Sequence, residues 1–99
     1  MELGEFVQNC LKYYRENVKP LIEKKDFGRA SVKMYGLLET IDERGSELLV
    51  YHSALQCAAF GQRIQEHLRS FQAPPVEVAR EFEARLAQVG LAVSSRNIG

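Results

Sequence analysis

The sequence predicts an all-α fold, a small bundle of four main helices with a long central third helix. Three observations carry that prediction. Apolar residues recur every three to four positions through most of the chain, the period of one face of an α-helix. Turn-forming residues near Asp26, across "DERGSE" and at "QAPP" divide the chain into helical segments. No run alternates apolar and polar residues long enough to read as a strand.

The first helix is expected from about Leu3 to Lys24. Phe6, Val7, Cys10, Leu11, Tyr14, Val18 and Leu21 fall on one stripe. Lys12, Arg15, Glu16, Lys19 and Glu23 take the other side. Pro20 lacks a backbone donor and presses on the preceding turn, so a kink or break is expected near Asn17–Lys19. The second helix follows Asp26, a good N-cap type, with a stripe of Phe27, Ala30, Met34, Leu37, Leu38 and Ile41. Val32 and Gly36 lie opposite that stripe, four residues apart. An interior glycine costs roughly 1 kcal/mol against alanine. Gly36 therefore either lets another helix come close or is a tolerated surface glycine.

"DERGSE" makes the next break, with Gly45 suited to a left-handed C′ position and Ser46 to an N-cap. The third helix is expected from about Glu47 to Ser70. Leu48, Tyr51, Leu55, Ala58 and Ala59 share a face in its first half. In the second half the apolar face moves by roughly 150° to Cys57, Phe60, Ile64, Leu68 and Phe71, with Gly61 near the change. A helix whose apolar face moves in this way is expected to meet different neighbours at its two ends, in the centre of the bundle. Pro74 and Pro75 end it, and Pro75 suits the start of another helix. That fourth helix, about Val76 to Val89, carries Val78, Ala79, Phe82, Leu86 and Val89 on one stripe, and Gly90 reads as its stop. Residues 1–90 then form a single helical-bundle domain, and 91–99 a frayed tail or domain boundary.

Composition narrows the function classes. Thirteen lysines and arginines balance 13 aspartates and glutamates over 99 residues, which argues against a nucleic-acid partner. Two cysteines, Cys10 and Cys57, are too few for a disulfide framework and read as small buried hydrophobes in a reducing compartment. "MELGEFVQNC" lacks a basic region followed by an apolar run, so no secretory signal is expected. Leu48–Ile64 carries His52, Gln56, Gln62 and Arg63, so membrane insertion is not expected either. The expected location is cytoplasmic.

The chemistry-bearing residues are poorly arranged for catalysis. His52 and Cys57 point roughly 140° apart on a helix and cannot share a proton. His52 and His67 lie about 22 Å apart along one helix and cannot chelate one ion. Glu39, Asp42, Glu43, Glu47, Glu77, Glu81 and Glu83 alternate with Lys33, Arg44, Arg80 and Arg85, as a solvated face does. There is no EF-hand spacing, phosphate loop or GxSxG. No catalytic residue, metal ligand or cofactor is expected.

Partner-binding candidates are Tyr13, Lys12, Val32, Tyr35 and Gly36. Tyr13 flanks the first stripe beside basic Lys12 and Arg15, as a boundary tyrosine with a wet hydroxyl or as an interface anchor. Val32 and Tyr35 lie off the second stripe, covered by a further helix or forming a groove for a ligand helix. The segment "LIEKKDFGRASVKMYGLLETI", residues 21–41, resembles the helical hairpins of TPR repeats and MIT domains through Asp26-Phe27, Ala30, Met34-Tyr35 and Leu38. That resemblance implies a groove between helices that takes up a peptide or helix. The segment "LLETIDERGSELLVYHSAL", residues 37–55, is similar to the helix–turn–helix region of caspase-recruitment domains, which implies homotypic self-assembly. The expectation is an intracellular adaptor or scaffold module that binds a partner's amphipathic helix in an inter-helix groove. The alternatives are a self-assembling death-fold-like module and a non-catalytic piece of a larger enzyme or complex.

Overall fold

The first stripe folds with one local departure from a plain α-helix. In the computed structural model, which describes residues 2–98, α1 (Leu3–Tyr13) runs into a π-helical turn (Tyr14–Val18) and on into α2 (Lys19–Glu23). Pro20 explains the turn. Its ring excludes the carbonyl four residues back, and the wider turn relieves that clash. The Lys19 N–H donates to the Tyr14 carbonyl, five residues back, and Pro20 sits at the start of α2 where no donor is needed. Phe6, Val7, Cys10, Leu11, Tyr14 and Val18 all reach the core, so the interruption expected near Asn17–Lys19 is absorbed without losing the helix.

Helix α3 (Phe27–Glu43) begins as its sequence indicates, with the Asp26 carboxylate accepting from the Arg29 N–H at 3.4 Å. Ala30, Met34 and Leu37 are buried, and Phe27, Leu38 and Ile41 pack against them. Its end differs from the expectation. Gly45 does not take a left-handed conformation and Ser46 does not cap; Arg44 alone makes the corner, at φ −114° and ψ 20°. The Arg44 guanidinium then donates to both Glu47 carboxylate oxygens, at 2.6 and 2.9 Å. No Asp, Asn, Ser or Thr stands at the cap position, and the turn is spanned by this ion pair and by the Glu47 and Leu48 N–H groups donating to the Arg44 carbonyl.

The third segment is two helices, not one. A short α4 (Gly45–Leu48) is followed by a turn, and α5 (His52–Arg69) starts afresh from extended Tyr51. Leu48 and Cys57 are each 3% exposed. Nine residues apart on a continuous helix they would point about 180° from each other, and with the outer face of α5 in solvent both reach the same core because the chain redirects between them. The face expected in the first half therefore does not form: Leu55 is 55% exposed, and Ala58 and Ala59 are also exposed. In the second half Cys57, Gly61, Ile64, Gln65 and Leu68 are buried, whereas Phe71 is 72% exposed. Phe71 occupies the left-handed position after α5 at φ 56°, with the Gln72 N–H returning to the His67 carbonyl.

Helix α6 (Val76–Ile98) opens on the Pro75 carbonyl, which accepts from the N–H groups of Val78 and Ala79. It does not stop at Gly90. Val93 is buried, so the chain at least that far belongs to the bundle rather than to a frayed tail. Gly90 instead lies against α1, where a Cβ would sit at contact distance, 3.4 Å, from Val7 Cγ1 and Gln8 Nε2. Of the tail expected over 91–99, Gly99 lies outside the described residues.

The main helices close a ring in which each packs against two others: α1 against α3 and α6, and α5 against α3 and α6. Neighbours run antiparallel, as Gly4 beside Val93, Val7 beside Gly90 and Tyr14 against Phe82 show for α1 and α6. Short connections enforce the same arrangement elsewhere. Helix α5 lies between α3 and α6, with its outer face wet rather than wrapped. Its approach to both is tight at Gly61, where a Cβ would come within 2.8 Å of Leu38 Cδ2 and 3.0 Å of Phe82 Cε1. The fold is all-α, with no strand among the described residues. No helix among them is long and apolar enough to cross a membrane.

Candidate functional site

Two helices packed on a shared core leave a furrow along their outer flanks wherever small side chains meet. The first helix and α3 do this over most of their length. At one end, Phe6, Asn9, Cys10 and Tyr13 face Gly36, Leu37 and Thr40 across a depression of about 370 Å³. At the other, Glu16, Asn17, Pro20, Leu21 and Lys24 face Arg29, Val32 and Lys33 across about 560 Å³. The two depressions lie in line along the same antiparallel pair, with Tyr13, Gly36 and Val32 around their meeting point.

Gly36 is the low point. A Cβ built there meets nothing within 4 Å, so no helix of the bundle needs this position to be a glycine. Of the two sequence readings, close approach by another helix of the bundle is not met, and the open space fits a surface glycine. One turn on, the Thr40 hydroxyl donates to the Gly36 carbonyl at 2.9 Å and spends its polarity on its own helix. Val32, 71% exposed, forms an apolar lip. Cys10 forms part of the floor with its thiol pushed up to about 11 by burial, which leaves it a neutral, unreactive surface.

The charges are unevenly placed. The first depression is lined by uncharged side chains, while the second carries Lys24, Arg29 and Lys33 against one carboxylate, Glu16. Arg29 pairs with Asp26 at 3.7 Å. Lys24 and Lys33 have no ion-pair partner among the described residues.

The residues singled out from the sequence divide accordingly. Tyr13, Val32 and Gly36 come together along the groove. Lys12 is exposed beside Tyr13 but does not line it. Tyr35 lies around the helix, over a separate polar notch between α3 and α5 with Leu38, Glu39, Asp42, Gln62, Gln65 and Arg69. Phe6, Asn9, Cys10, Pro20, Lys24, Arg29, Lys33, Leu37 and Thr40 were not singled out for binding. Phe6, Cys10 and Leu37 belong to the core stripes themselves, and the others form a second stripe beside each, legible only once the two helices are known to be adjacent.

Other chemistry-bearing groups are separated or enclosed. His52 is exposed and lies 3.4 Å from Gln56, whereas Cys57 points into the core toward the Phe82 carbonyl. Burial pushes the Cys57 thiol up to about 12. Tyr14 is raised to about 12 by burial and by the Glu83 carboxylate, which bridges Arg15 and Lys19 at 3.6 and 3.5 Å. Among the described residues no group of three or more His, Cys, Asp or Glu side chains is placed to hold a metal ion. No protein-family model matches the sequence, and no curated protein or solved structure is significantly similar to it.

Proposed function

We propose that this chain is a non-catalytic protein–protein interaction module, an intracellular adaptor or scaffold, that receives a partner's amphipathic helix in the groove between its first helix and α3. The observation that carries the reading is Gly36. A glycine mid-helix costs about 1 kcal/mol against alanine, and nothing in the bundle occupies the space that it leaves. A helix laid across that space recovers the cost, because the missing side chain lets backbones approach closely. Tyr13 and Val32 then supply apolar contact on either side, in the manner of helix-in-groove recognition.

The test is a partner captured by pull-down and mapped by amide shifts on the labelled chain. Shifts over Phe6–Tyr13 and Val32–Thr40 are expected. Shifts confined to Asp42–Glu47 and the helix ends would show another mode of binding. Gly36→Leu is expected to abolish capture with the fold intact, since its side chain enters open space.

One feature favours a second reading, self-association. Leu49, Val50 and Leu55 are exposed together around the break between α4 and α5. Leu49 and Leu55 border a depression of about 250 Å³ with Ile41, Leu48, Ala54 and Ala58. Light scattering over a concentration series separates the two: a groove binder stays monomeric, and a self-assembling module grows.

A further inference from the structure

We infer that the helix this groove accepts is a segment of another protein about three turns long, acidic at one end and uncharged at the other. Its acidic end seats over Lys24, Arg29 and Lys33. The inference rests on the helix-in-groove reading and adds the occupant's length, charge and placement.

Length follows from α3. Groove-lining positions run from Arg29 to Thr40, a span of about 17 Å at 1.5 Å per residue, or three helical turns. Charge follows from the lining. Lys24 and Lys33 stand unpaired among the described residues, and Arg29 has only an exposed, loosely spaced aspartate. Packing an apolar helix over three cations removes water from them without compensation, whereas carboxylates opposite them restore the interaction. Glu16, the one lining carboxylate, leaves that end net basic. Around Phe6, Tyr13 and Gly36 the lining side chains are uncharged, and Arg44, which stacks over the Phe6 ring at 5.1 Å, is already held by Glu47, so this end offers a carboxylate far less than the Pro20 end does. Placement is then set, because the occupant must put its carboxylates at the Pro20 end.

A displayed library of amphipathic helices tests this, with the apolar face fixed as leucine and the polar positions varied among Glu, Lys and Gln. Selected helices are expected to carry Glu at one end only. They should bind about tenfold tighter than the same helix with Lys there, the strength of a few exposed ion pairs. That preference should shrink as salt rises from about 0.05 to 0.5 M. In the double variant Lys24→Glu, Lys33→Glu the preference should turn toward Lys. Thermal stability should hold, since neither side chain has an ion-pair partner to lose among the described residues. Helices that shift Tyr13 and Gly36 but are indifferent to charge, or prefer Lys, overturn the inference and leave the groove reading standing. Selection of no helix, or of helices that map elsewhere, overturns both.

Discussion

Two of the chain's interruptions contradict their residues. At Pro20 the strongest helix breaker in the sequence leaves a continuous helix, because one widened turn takes up the lost bond. Between Leu48 and His52 there is neither glycine nor proline, yet the helix ends and restarts. The difference is where the neighbouring apolar residues need to point. Tyr14 and Val18 both reach the core through the π turn, so packing holds the helix together. Leu48 and Cys57 cannot both reach it on one straight helix, so packing pulls the helix apart. Local preference proposes an interruption, and burial on either side decides it.

The largest effect that sharpens this comparison is a pair of leucines. Leu48→Ala is expected to cost about 2–5 kcal/mol by opening a cavity, and Leu55→Ala less than about 0.5 kcal/mol. On an unbroken helix the two share a face and their costs would be alike, so equal losses in denaturant unfolding would remove the break. The thiols report on the two regions separately, since Cys10 precedes the π turn and Cys57 follows the break. Both have their pKa raised above the ordinary 9.0, to about 11 and about 12, by burial. A raised pKa in the folded state means the stabilisation is complete below about pH 9 and is lost as pH climbs toward 11–12. Stability should fall by up to about 1.4 kcal/mol per pH unit for each thiol. Cys57→Ala should flatten that decline, and an unchanged slope would place the thiol in contact with water. The smallest effect lies at the other interruption. Pro20→Ala should cost less than about 1 kcal/mol, mostly through the freer unfolded chain. A loss of several kcal/mol would mean that proline holds the π turn in place rather than being accommodated by it.

The core was legible because burial leaves a periodic mark. The stripes of the first helix, α3 and α6 were read almost residue for residue, from Phe6 to Val18, Ala30 to Leu37 and Val78 to Val89. The change of face before Cys57 is also legible, but where it suggests one long central helix the chain has a break. Periodicity gives the direction of each residue only within an uninterrupted helix. Gly90 misled for a related reason: small residues serve both as stops and as contact points, and only the opposite surface, here Val7 and Gln8, tells them apart. The groove was the least legible part. It is lined by residues such as Asn9, Thr40 and Lys33 that belong to no apolar stripe, drawn from two helices whose adjacency the sequence did not state. Tyr13, Val32 and Gly36 drew notice only as misfits.

The seam between α1 and α6, where Gly90 lies against Val7, also orders the assembly of the molecule. It joins the segments farthest apart along the chain, while the other neighbouring pairs are consecutive and need only short loops closed. The inexpensive contacts can form early and in any order, in the manner of rapidly folding helical proteins of low contact order. On loop-closure cost alone the seam is expected to close after the others, bringing Gly90 to contact distance of Val7 and Gln8.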